Sequence, residues 1–560
     1  MFKKEIIDLL SKEIKLKKED ISDLIEIPAD TNFGDYAFPC FVLSKHFKKS
    51  PAEIAEKIAK KIKPTKMIDK IESKSGYVNF FVNKNMLGQE ILKINSNFGK
   101  INLGKKRKIV IDFSAPNIGK PMHIGHIRST ILGDSLMRIY EFLGYDTIGI
   151  NYLGDVGLHI GKLIVAYELW LNKQELKKNP VAELLRLYVK FCGKEKSEIK
   201  EGLEEEFQDN EWNRKAKEKL KLLEIGDKKT EQIWEDIRKN SGKGFDKIYE
   251  MLNVDFHETT GQSEFRDRGK QFVANALEKG IAHQQEDRAI YILLNNKKKY
   301  ILRSNETASY ITYDLGAAVE RAKKYNFEKM IYVTDFRQKE HFENLFSIIK
   351  LMGYPFAEKL VHLPFGTVMF GKEIIATRKG DIILLEDVLM KTIEKAKEEI
   401  KKRKTRGNPE KVGVGAIKYV ILKNEPKKDV QFSWEQALSF EGNTGPYLQY
   451  SYARACSIIK KAKNFNKAQS KKNRLTEQEI QLIKKISEFP QIVQDSRKQM
   501  NPALIANYSF ELAKKFNEFY HSCKVIGDKF EAFRLKLTNS FRTCLKNALY
   551  LLGIEVMEEM

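Results

Sequence analysis

The stretch from Lys108 to Tyr152 reads KIVIDFSAPNIGKPMHIGHIRSTILGDSLMRIYEFLGYDTIGINY. The apolar run at 108–114 predicts a buried strand. Apolar residues spaced by three or four at 124–143 predict a helix that Gly144 ends. The chain then returns as a second predicted strand at 146–152. Strand, helix and strand in this order form a right-handed crossover in a parallel sheet, so we expect an α/β fold.

The whole chain divides into three predicted regions, and the stretch quoted above lies in the middle one. Residues 1–95 mix helix and strand patterns and predict a small α+β domain. Residues 100–430 alternate strand and helix patterns and predict a Rossmann-like parallel-sheet domain, interrupted by a charged helical insertion at about 162–250. Residues 435–560 have a helical period and predict an all-α C-terminal bundle. Further strands of the middle region are predicted at 289–293 and 329–333.

Composition limits the partners and the kind of site. The chain has 99 basic and 76 acidic residues and a net charge of +23, which favours a polyanionic partner such as nucleic acid, although a lysine-rich proteome would give the same excess. The five cysteines form no CxxC pair and the nine histidines no HExxH spacing, so we expect no protein metal site. No apolar run reaches the roughly 18 residues of a membrane span, and we expect a cytoplasmic protein without membrane contact.

The turn between the first strand and the helix is a predicted anion site. It carries PNIGKPMHIGH at 116–126, and a helix begins at its end. Backbone N–H groups and the positive end of the helix dipole favour an anion there. His123 and His126 are three residues apart, so both can donate to phosphate oxygens, and Gly125 lets a nucleotide approach the backbone. Ordinary helix histidines are the alternative.

These residues carry a family resemblance. The HIGH tetrapeptide at 123–126 resembles that of class I aminoacyl-tRNA synthetases, and it also occurs in nucleotidylyltransferases. The longer string SAPNIGKPMHIGHIRSTILGD resembles the arginyl-tRNA synthetase version, which has a lysine three positions before the first histidine. Further segments resemble the same family at Asn151–Gly157, Tyr310–Gly316, Asp335–Gln338, His341–Phe342, Asn443–Tyr450 and Tyr550–Ile554.

The resemblance implies which residues handle ATP. Those expected to bind it are Pro116, Gly119, Lys120, His123, Ile124, Gly125, His126 and Thr377. Those expected to be catalytic are Lys120, His123, His126, Arg378 and Lys379. The last two belong to IIATRKGD at 374–381, a degenerate form of the KMSKS loop, and Lys120 is expected to take over part of the missing loop lysine's task. An ordinary basic turn is the alternative for that segment.

The expected arginine pocket needs a carboxylate for the guanidinium. Asp314 is the best candidate, and Tyr310 lies on the same side of the predicted helix. A half-buried tyrosine beside a surface aspartate would be the ordinary explanation of this pair. The resemblance adds Asn117 and Gln338 near the α-amino and carboxylate end. Gln262 stands where the family usually has glutamate, so it keeps hydrogen bonding and loses the charge.

The resemblance implies that residues 100–430 are a class I catalytic domain. It implies an arginine–tRNA ligase that activates L-arginine with ATP, with Mg²⁺ bridging the phosphates, and passes the arginine to an arginine tRNA. It also implies that tRNA is needed for the first step, that the bundle from about 440 to 560 reads the anticodon loop and that the N-terminal domain touches the outer corner of the tRNA. We expect a monomer. The rival interpretations are another HxGH ligase or nucleotidylyltransferase and a non-catalytic synthetase-like tRNA-binding protein.

Overall fold

The structure is a computed structural model that describes residues 2–28, 30–196, 210–304, 307–370, 384–462 and 474–560. In this part of the chain, no helix is both long and apolar enough to cross a membrane. The strands are β1 (Tyr36–Pro39), β2 (Ile68–Lys74), β3 (Tyr77–Val82), β4 (Lys108–Asp112), β5 (Asp146–Leu153), β6 (Glu258–Gly261), β7 (Ala282–Gln284), β8 (Ile290–Leu294), β9 (Lys297–Leu302), β10 (Lys329–Asp335), β11 (Leu360–Phe365), β12 (Val368–Phe370) and β13 (Val430–Phe432).

The helices outnumber the strands. They are α1 (Phe2–Glu13), α2 (Lys18–Leu24), α3 (Ser44–Phe47), α4 (Pro51–Lys61), α5 (Lys84–Ile91), α6 (Ile124–Phe142), α7 (Leu158–Trp170), α8 (Lys173–Lys178), α9 (Pro180–Lys196), α10 (Glu211–Glu224), α11 (Lys228–Leu252), α12 (Arg266–Glu278), α13 (Tyr310–Tyr325), α14 (Lys339–Leu351), α15 (Leu385–Lys402), α16 (Pro409–Leu422), α17 (Trp434–Ala437), α18 (Gly445–Lys461), α19 (Glu477–Gln499), α20 (Ala503–Ser522) and α21 (Glu531–Leu551).

The central sheet has five parallel strands in the order β11-β10-β4-β5-β6. Strand β4 lies in the middle because its residues 109–111 are apolar on both faces and buried. The predicted strand–helix–strand unit is therefore confirmed as β4, α6 and β5. Strands β5 and β6 lie on one side of β4, and β10 and β11 lie on the other side. The sheet therefore has a switch point between β4 and β10, where doubly wound folds bind ligands.

Helix α6 packs closely on this sheet. It is buried along most of its length, so it carries apolar residues on more than one side. A Cβ on Gly133 would lie 2.1 Å from Cγ of Phe113, so only glycine allows the helix this close to the strand. The packing holds the beginning of α6 against the carboxyl end of β4.

The strand predicted at 289–293 exists as β8, but it lies outside the parallel sheet. It pairs antiparallel with β7 and β9 in a separate three-stranded sheet. The cause is the two-residue turn Asn295–Asn296, in which both residues have positive φ, at 50° and 61°. Such a turn reverses the chain into a hairpin and excludes a parallel crossover.

The chain forms two compact units. One comprises 1–98, 455–489 and 511–544, and it contains the antiparallel sheet β1-β3-β2. Within this unit, Ser540 Oγ donates to the Ile91 carbonyl at 2.8 Å, and the rings of Phe516 and Phe541 stack with centroids 3.8 Å apart. The N-terminal residues and parts of the C-terminal helices therefore share one core.

The other unit comprises 99–454, 490–510 and 545–560 and contains the five-stranded sheet. Helices α7 to α11 form the helical region that follows β5, at the place of the predicted insertion. The last residues of the chain pack in this unit, where the buried Lys418 donates to the Gly553 carbonyl at 2.8 Å.

Candidate active site

The predicted site residues meet at one edge of the parallel sheet. Asn117 to His126 follow β4, Gly154 and Gly157 follow β5, Gln262 follows β6, and Gln338 follows β10. Because all five strands are parallel, their carboxyl ends share this edge. The topology thus brings together segments that are more than 200 residues apart in the sequence.

The turn after β4 has a strained backbone. Ser114 and Ala115 have φ of 74° and 53°, which residues with a Cβ adopt only at an energetic cost. The Ser114 N–H donates to Oγ of Ser129 at 2.9 Å, and the Ala115 N–H donates to Oδ1 of Asn151 at 3.3 Å. Ser129 in turn donates to the Val333 carbonyl of β10 at 2.6 Å. Side chains from α6 and β5 therefore fix the path of the turn.

The two histidines of the turn cap helix α6 with ring nitrogens. Nδ1 of His123 accepts from the Gly125 N–H at 3.0 Å. Nδ1 of His126 accepts from the His123 N–H at 3.1 Å. The same Nδ1 atom lies farther from the His123 carbonyl oxygen, at 3.3 Å. A ring nitrogen that accepts carries no hydrogen in a neutral imidazole, so Nε2 carries it. Both rings therefore offer an Nε2–H donor, which a phosphate oxygen can accept.

Both rings are also held in the neutral form. Burial lowers the pKa of His126 to about 3, with a smaller contribution from the adjacent His123. Burial lowers the pKa of His123 as well, and the positive charges of Lys120 and Arg337 add to this effect. The ring centroids are 4.1 Å apart, so two imidazolium charges would repel each other. Positive charge at this turn must come from other side chains.

Lys120 supplies such a charge beside the histidine pair. Its Nζ lies 4.7 Å from the ring centroid of Tyr188, which belongs to α9 of the insertion. The preceding Gly119 donates its N–H to Oγ of Ser241 on α11 at 2.8 Å. Two helices of the insertion thus contact the turn, so the insertion supports the site directly.

Asp314 and Tyr310 lie at the beginning of α13. Asp314 Oδ2 and Nε2 of His341 are 2.6 Å apart, and the Asp314 side chain is only 15% exposed. Burial opposes protonation of His341, but the hydrogen bond and charge of Asp314 outweigh it and raise the pKa of this imidazole. The predicted guanidinium anchor thus has a histidine partner on α14 that sequence reasoning did not assign.

Glycines make room for the pocket side chains. A Cβ on Gly154 would lie 1.9 Å from Oδ1 of Asn117, and one on Gly157 would lie 2.4 Å from the Tyr310 hydroxyl. These close approaches place Asn117 and Tyr310 against the carboxyl end of β5. Tyr310 remains 46% exposed, so its ring is open to a ligand.

The two glutamines differ in their surroundings. Gln262 begins the short 3₁₀ helix Gln262–Phe265 after β6, and its Oε1 is buried without a hydrogen-bond partner among the described residues. A buried amide oxygen of this kind favours a donor from a ligand. Gln338 ends the 3₁₀ helix Phe336–Gln338 after β10 and is exposed at the same edge.

Thr377, Arg378 and Lys379 lie outside the described residues, so their predicted roles stay predictions. The described chain resumes at Leu384, which forms an isolated bridge with His123. The next N–H, of Leu385, donates to the Met122 carbonyl at 2.9 Å. The beginning of α15 is therefore fixed beside the histidine pair.

Other contacts around the site were not predicted from the sequence. The buried Asp155 accepts from the Ser263 N–H at 2.8 Å and hydroxyl at 2.6 Å, which ties β5 to the segment that carries Gln262. Burial raises the pKa of Asp155, while Ser263 opposes this shift. Asp112 pairs with Arg321 at 2.7 Å, and both are buried. Ser241 and Tyr249 support the turn from α11, and polar residues on an otherwise apolar helix face were the available signal.

Sequence comparisons cover the whole chain. The model for "tRNA synthetases class I (R), catalytic domain" matches residues 89–434, that for the "DALR anticodon binding domain" matches 448–560, and that for the "Arginyl tRNA synthetase N terminal domain" matches 1–82. A relative named arginine–tRNA ligase from Halothermothrix orenii is 41% identical over 574 residues, and one from Clostridium beijerinckii is 37% identical over 577 residues. Each alignment spans 100% of both chains.

Solved structures share the fold. The arginyl-tRNA synthetase of Thermus thermophilus matches with a TM-score of 0.83 at 23% identity, over 100% of this chain and 99% of that one. That of Plasmodium falciparum matches with a TM-score of 0.80 at 27% identity, over the same shares. The architecture therefore extends along the full chain in both comparisons.

Proposed function

The chain belongs to the class I arginyl-tRNA synthetases, and we propose that it attaches L-arginine to tRNA at the expense of ATP. In the first step, a carboxylate oxygen of arginine attacks the α-phosphorus of ATP, and arginyl-adenylate forms as pyrophosphate leaves. In the second step, a hydroxyl of the terminal tRNA ribose loses its proton and attacks the arginyl carbonyl, and AMP leaves. No protein nucleophile takes part, so positioning and charge stabilisation supply the catalysis.

The histidine pair and Lys120 serve the phosphates in this proposal. Negative charge grows on the α-phosphate and on pyrophosphate during the first step. His123 and His126 donate through Nε2–H because their Nδ1 atoms are occupied by backbone N–H groups. They act as neutral donors, since their pKa values are lowered, and Lys120 adds the positive charge. Arg378 and Lys379 are proposed to contribute the same chemistry.

The pocket between β5, α13 and α14 is proposed to hold arginine. Asp314 accepts from the guanidinium, and the exposed ring of Tyr310 packs beside it. Asn117 and Gln338 bind near the α-amino and carboxylate end, next to the phosphates. Gln262 offers its buried Oε1 as a neutral acceptor. The observation that carries this proposal is the convergence of the histidine pair and this acidic pocket on one edge of one sheet.

Magnesium is proposed to arrive with ATP, as part of the substrate. The described residues contain no group of three or more His, Cys, Asp or Glu side chains that could hold a metal ion. Mg²⁺ binds through few protein ligands where it bridges nucleotide phosphates.

The outer parts of the chain are proposed to select the tRNA. The net charge of +23 favours an RNA partner, and binding should weaken as salt rises. The C-terminal bundle, from about 440 to 560, is proposed to read the anticodon loop, because unstacked loop bases can be bonded and stacked on side chains. The N-terminal domain, 1–95, is proposed to touch the outer corner of the tRNA through the segment 32–36.

The test is a charging assay with labelled arginine, an arginine tRNA and the full chain. Acid-stable label on the tRNA should appear only when ATP is present, and His126→Ala should slow its appearance. Binding of tRNA without any charging by the wild-type chain would overturn the proposal and favour a non-catalytic tRNA-binding protein.

A further inference from the structure

A tyrosine of the helical insertion lies beside the Lys120 side chain. Tyr188 belongs to α9, and its ring centroid is 4.7 Å from Nζ of Lys120. The positive charge of Lys120 also acts on His123, whose pKa it helps to lower. The Lys120 ammonium therefore lies near both the tyrosine ring and the histidine turn. None of the roles proposed above for the reaction involves Tyr188.

Helix α9 holds Tyr188 in a defined position. The apolar side of this helix packs inward through the buried Leu184, Leu187 and Phe191. Near the end of the helix, Nζ of Lys162 on α7 donates to the carboxylate of Glu195, and both residues are buried. Separating a buried ion pair leaves an uncompensated charge, so this pair fixes how α9 lies against α7.

The neighbouring helices also fix the turn that carries Lys120. A Cβ on Gly119 would lie 2.2 Å from Cδ2 of Leu163 on α7. A Cβ on Gly244 of α11 would lie 2.3 Å from Cγ2 of Val181 on α9. Only glycine allows approaches this close, so the turn packs tightly on α7 and α9 packs tightly on α11. The backbone of the turn and the tyrosine ring are therefore held by one group of packed helices.

A fixed ring limits the positions that the end of a lysine side chain can adopt. The long stem of lysine has many rotamers, so ordering its ammonium costs conformational entropy. The face of an aromatic ring attracts a cation within about 6 Å of its centroid, and the Lys120 ammonium lies inside this range. An ammonium has three N–H donors, so it can lie over a ring on one side and donate to phosphate oxygens on another. A ring at this place can therefore orient the positive charge and leave donors for ATP.

We propose that Tyr188 is a positioning residue for the activation step: its ring holds the Lys120 ammonium beside the histidine pair, where the ammonium meets the phosphates of ATP. This inference rests on the proposed function, in which Lys120 offsets the negative charge that grows on the α-phosphate and on pyrophosphate. Tyr188 acts only through Lys120, so removal of Lys120 should also remove the effect of Tyr188.

The test is a double-mutant cycle on the full chain with arginine tRNA present. The wild type, Tyr188→Leu, Lys120→Ala and the double variant are compared in ATP–pyrophosphate exchange. Tyr188→Leu should lower kcat/KM for ATP by roughly 2- to 30-fold, the range expected for loss of a cation–π contact, and should leave the KM for arginine within about twofold. In the chain that already carries Lys120→Ala, the same substitution should change kcat/KM by less than about twofold.

Two further variants separate the ring from the hydroxyl and from the fold. Tyr188→Phe keeps the ring and should support exchange as the wild type does. Trp170→Leu is the matched control, because it removes a contact of the same kind, between Nζ of Lys190 and the Trp170 ring at 4.6 Å, at the end of α7. It should leave exchange unchanged. Thermal unfolding establishes that each variant is folded, and Tyr188→Met replaces Tyr188→Leu if the latter unfolds.

Equal losses from Tyr188→Leu with and without Lys120 would overturn the inference, because Tyr188 would then act independently of Lys120. No loss in the chain that keeps Lys120, or an equal loss in Tyr188→Phe, would overturn it as well.

The Kd for Mg·ATP, measured by isothermal titration on the same four chains, tests the contact without turnover. Tyr188→Leu should raise this Kd only where Lys120 is present, and equal changes with and without Lys120 would overturn the inference. Absence of exchange by the wild-type chain would count against the proposed function, whereas the binding measurement would still test Tyr188. The two failures can therefore be told apart.

Discussion

Asp314→Asn tests the arginine pocket with a change of charge and almost no change of shape. The substitution keeps an oxygen acceptor beside His341 and removes the negative charge that would face the guanidinium. A charge-assisted hydrogen bond contributes about 1.5–3 kcal/mol, which corresponds to roughly 10- to 150-fold in affinity. We expect the Kd for arginine to rise by this factor, whereas the Kd for ATP should stay within about twofold because Asp314 faces α14 and not the histidine turn.

The loss of arginine affinity in Asp314→Asn should also depend on pH, because His341 binds the same Asp314 carboxylate that would hold the guanidinium. Its pKa is raised: burial opposes protonation, but the hydrogen bond and charge of Asp314 outweigh it. Below that pKa, imidazolium neutralises Asp314 and competes with the guanidinium. The nearby His362 stays neutral there, since burial lowers its pKa to about 4. Wild-type arginine affinity should therefore increase as pH rises through the raised pKa of His341, and Asp314→Asn should cost most above that pKa.

The assay is isothermal titration with arginine and separately with ATP at each pH. Glu320→Gln is the control, since it removes one negative charge from the same helix and its partner is the surface Arg268. It should bind arginine as the wild type does. If Asp314→Asn bound arginine within about twofold of the wild type at high pH, or lost ATP affinity equally, Asp314 would not be the anchor.

Three further predictions concern the chemistry, the stability and the RNA. His126→Ala and Lys120→Ala should each slow activation by about 10²–10³-fold in single-turnover assays and leave the tRNA Kd nearly intact; a parallel loss of tRNA binding would contradict their role. The pKa of His126 falls from 6.5 to about 3 on folding, so the unfolded chain binds an extra proton between these values and stability drops as pH falls. His126→Gln should lessen this drop in urea unfolding, and an unchanged pH profile would refute the burial argument. An arginine tRNA whose central anticodon base is changed should be charged more slowly than the original, and equal rates would exclude anticodon reading by the bundle.

The order of elements could be predicted from the sequence where local signals were strong. The β4–α6–β5 unit combines a buried apolar run, a helical period and a glycine cap, and these signals agree with the fold. The strand at 290–294 was predicted, but its sheet was not, because pairing direction depends on the Asn295–Asn296 turn. That dipeptide was the signal that the sequence reasoning overlooked.

The site could be predicted only in part, because its pairs join distant segments. The histidine spacing within one turn was local and visible. The pairing of Asp314 with His341 spans 27 residues, and that of Gly119 with Ser241 spans 122, so neither has a local pattern. Residues 377–379 lie outside the described part of the chain, and their roles stay predictions.

ATP–pyrophosphate exchange with each amino acid in turn, in the presence and absence of arginine tRNA, measures whether this chain activates arginine. Among the amino acids, only arginine should support exchange, and this exchange should require the tRNA. Exchange driven by a different amino acid, or no exchange with arginine and tRNA from a folded chain that binds both, would show that the chain is not an arginine–tRNA ligase.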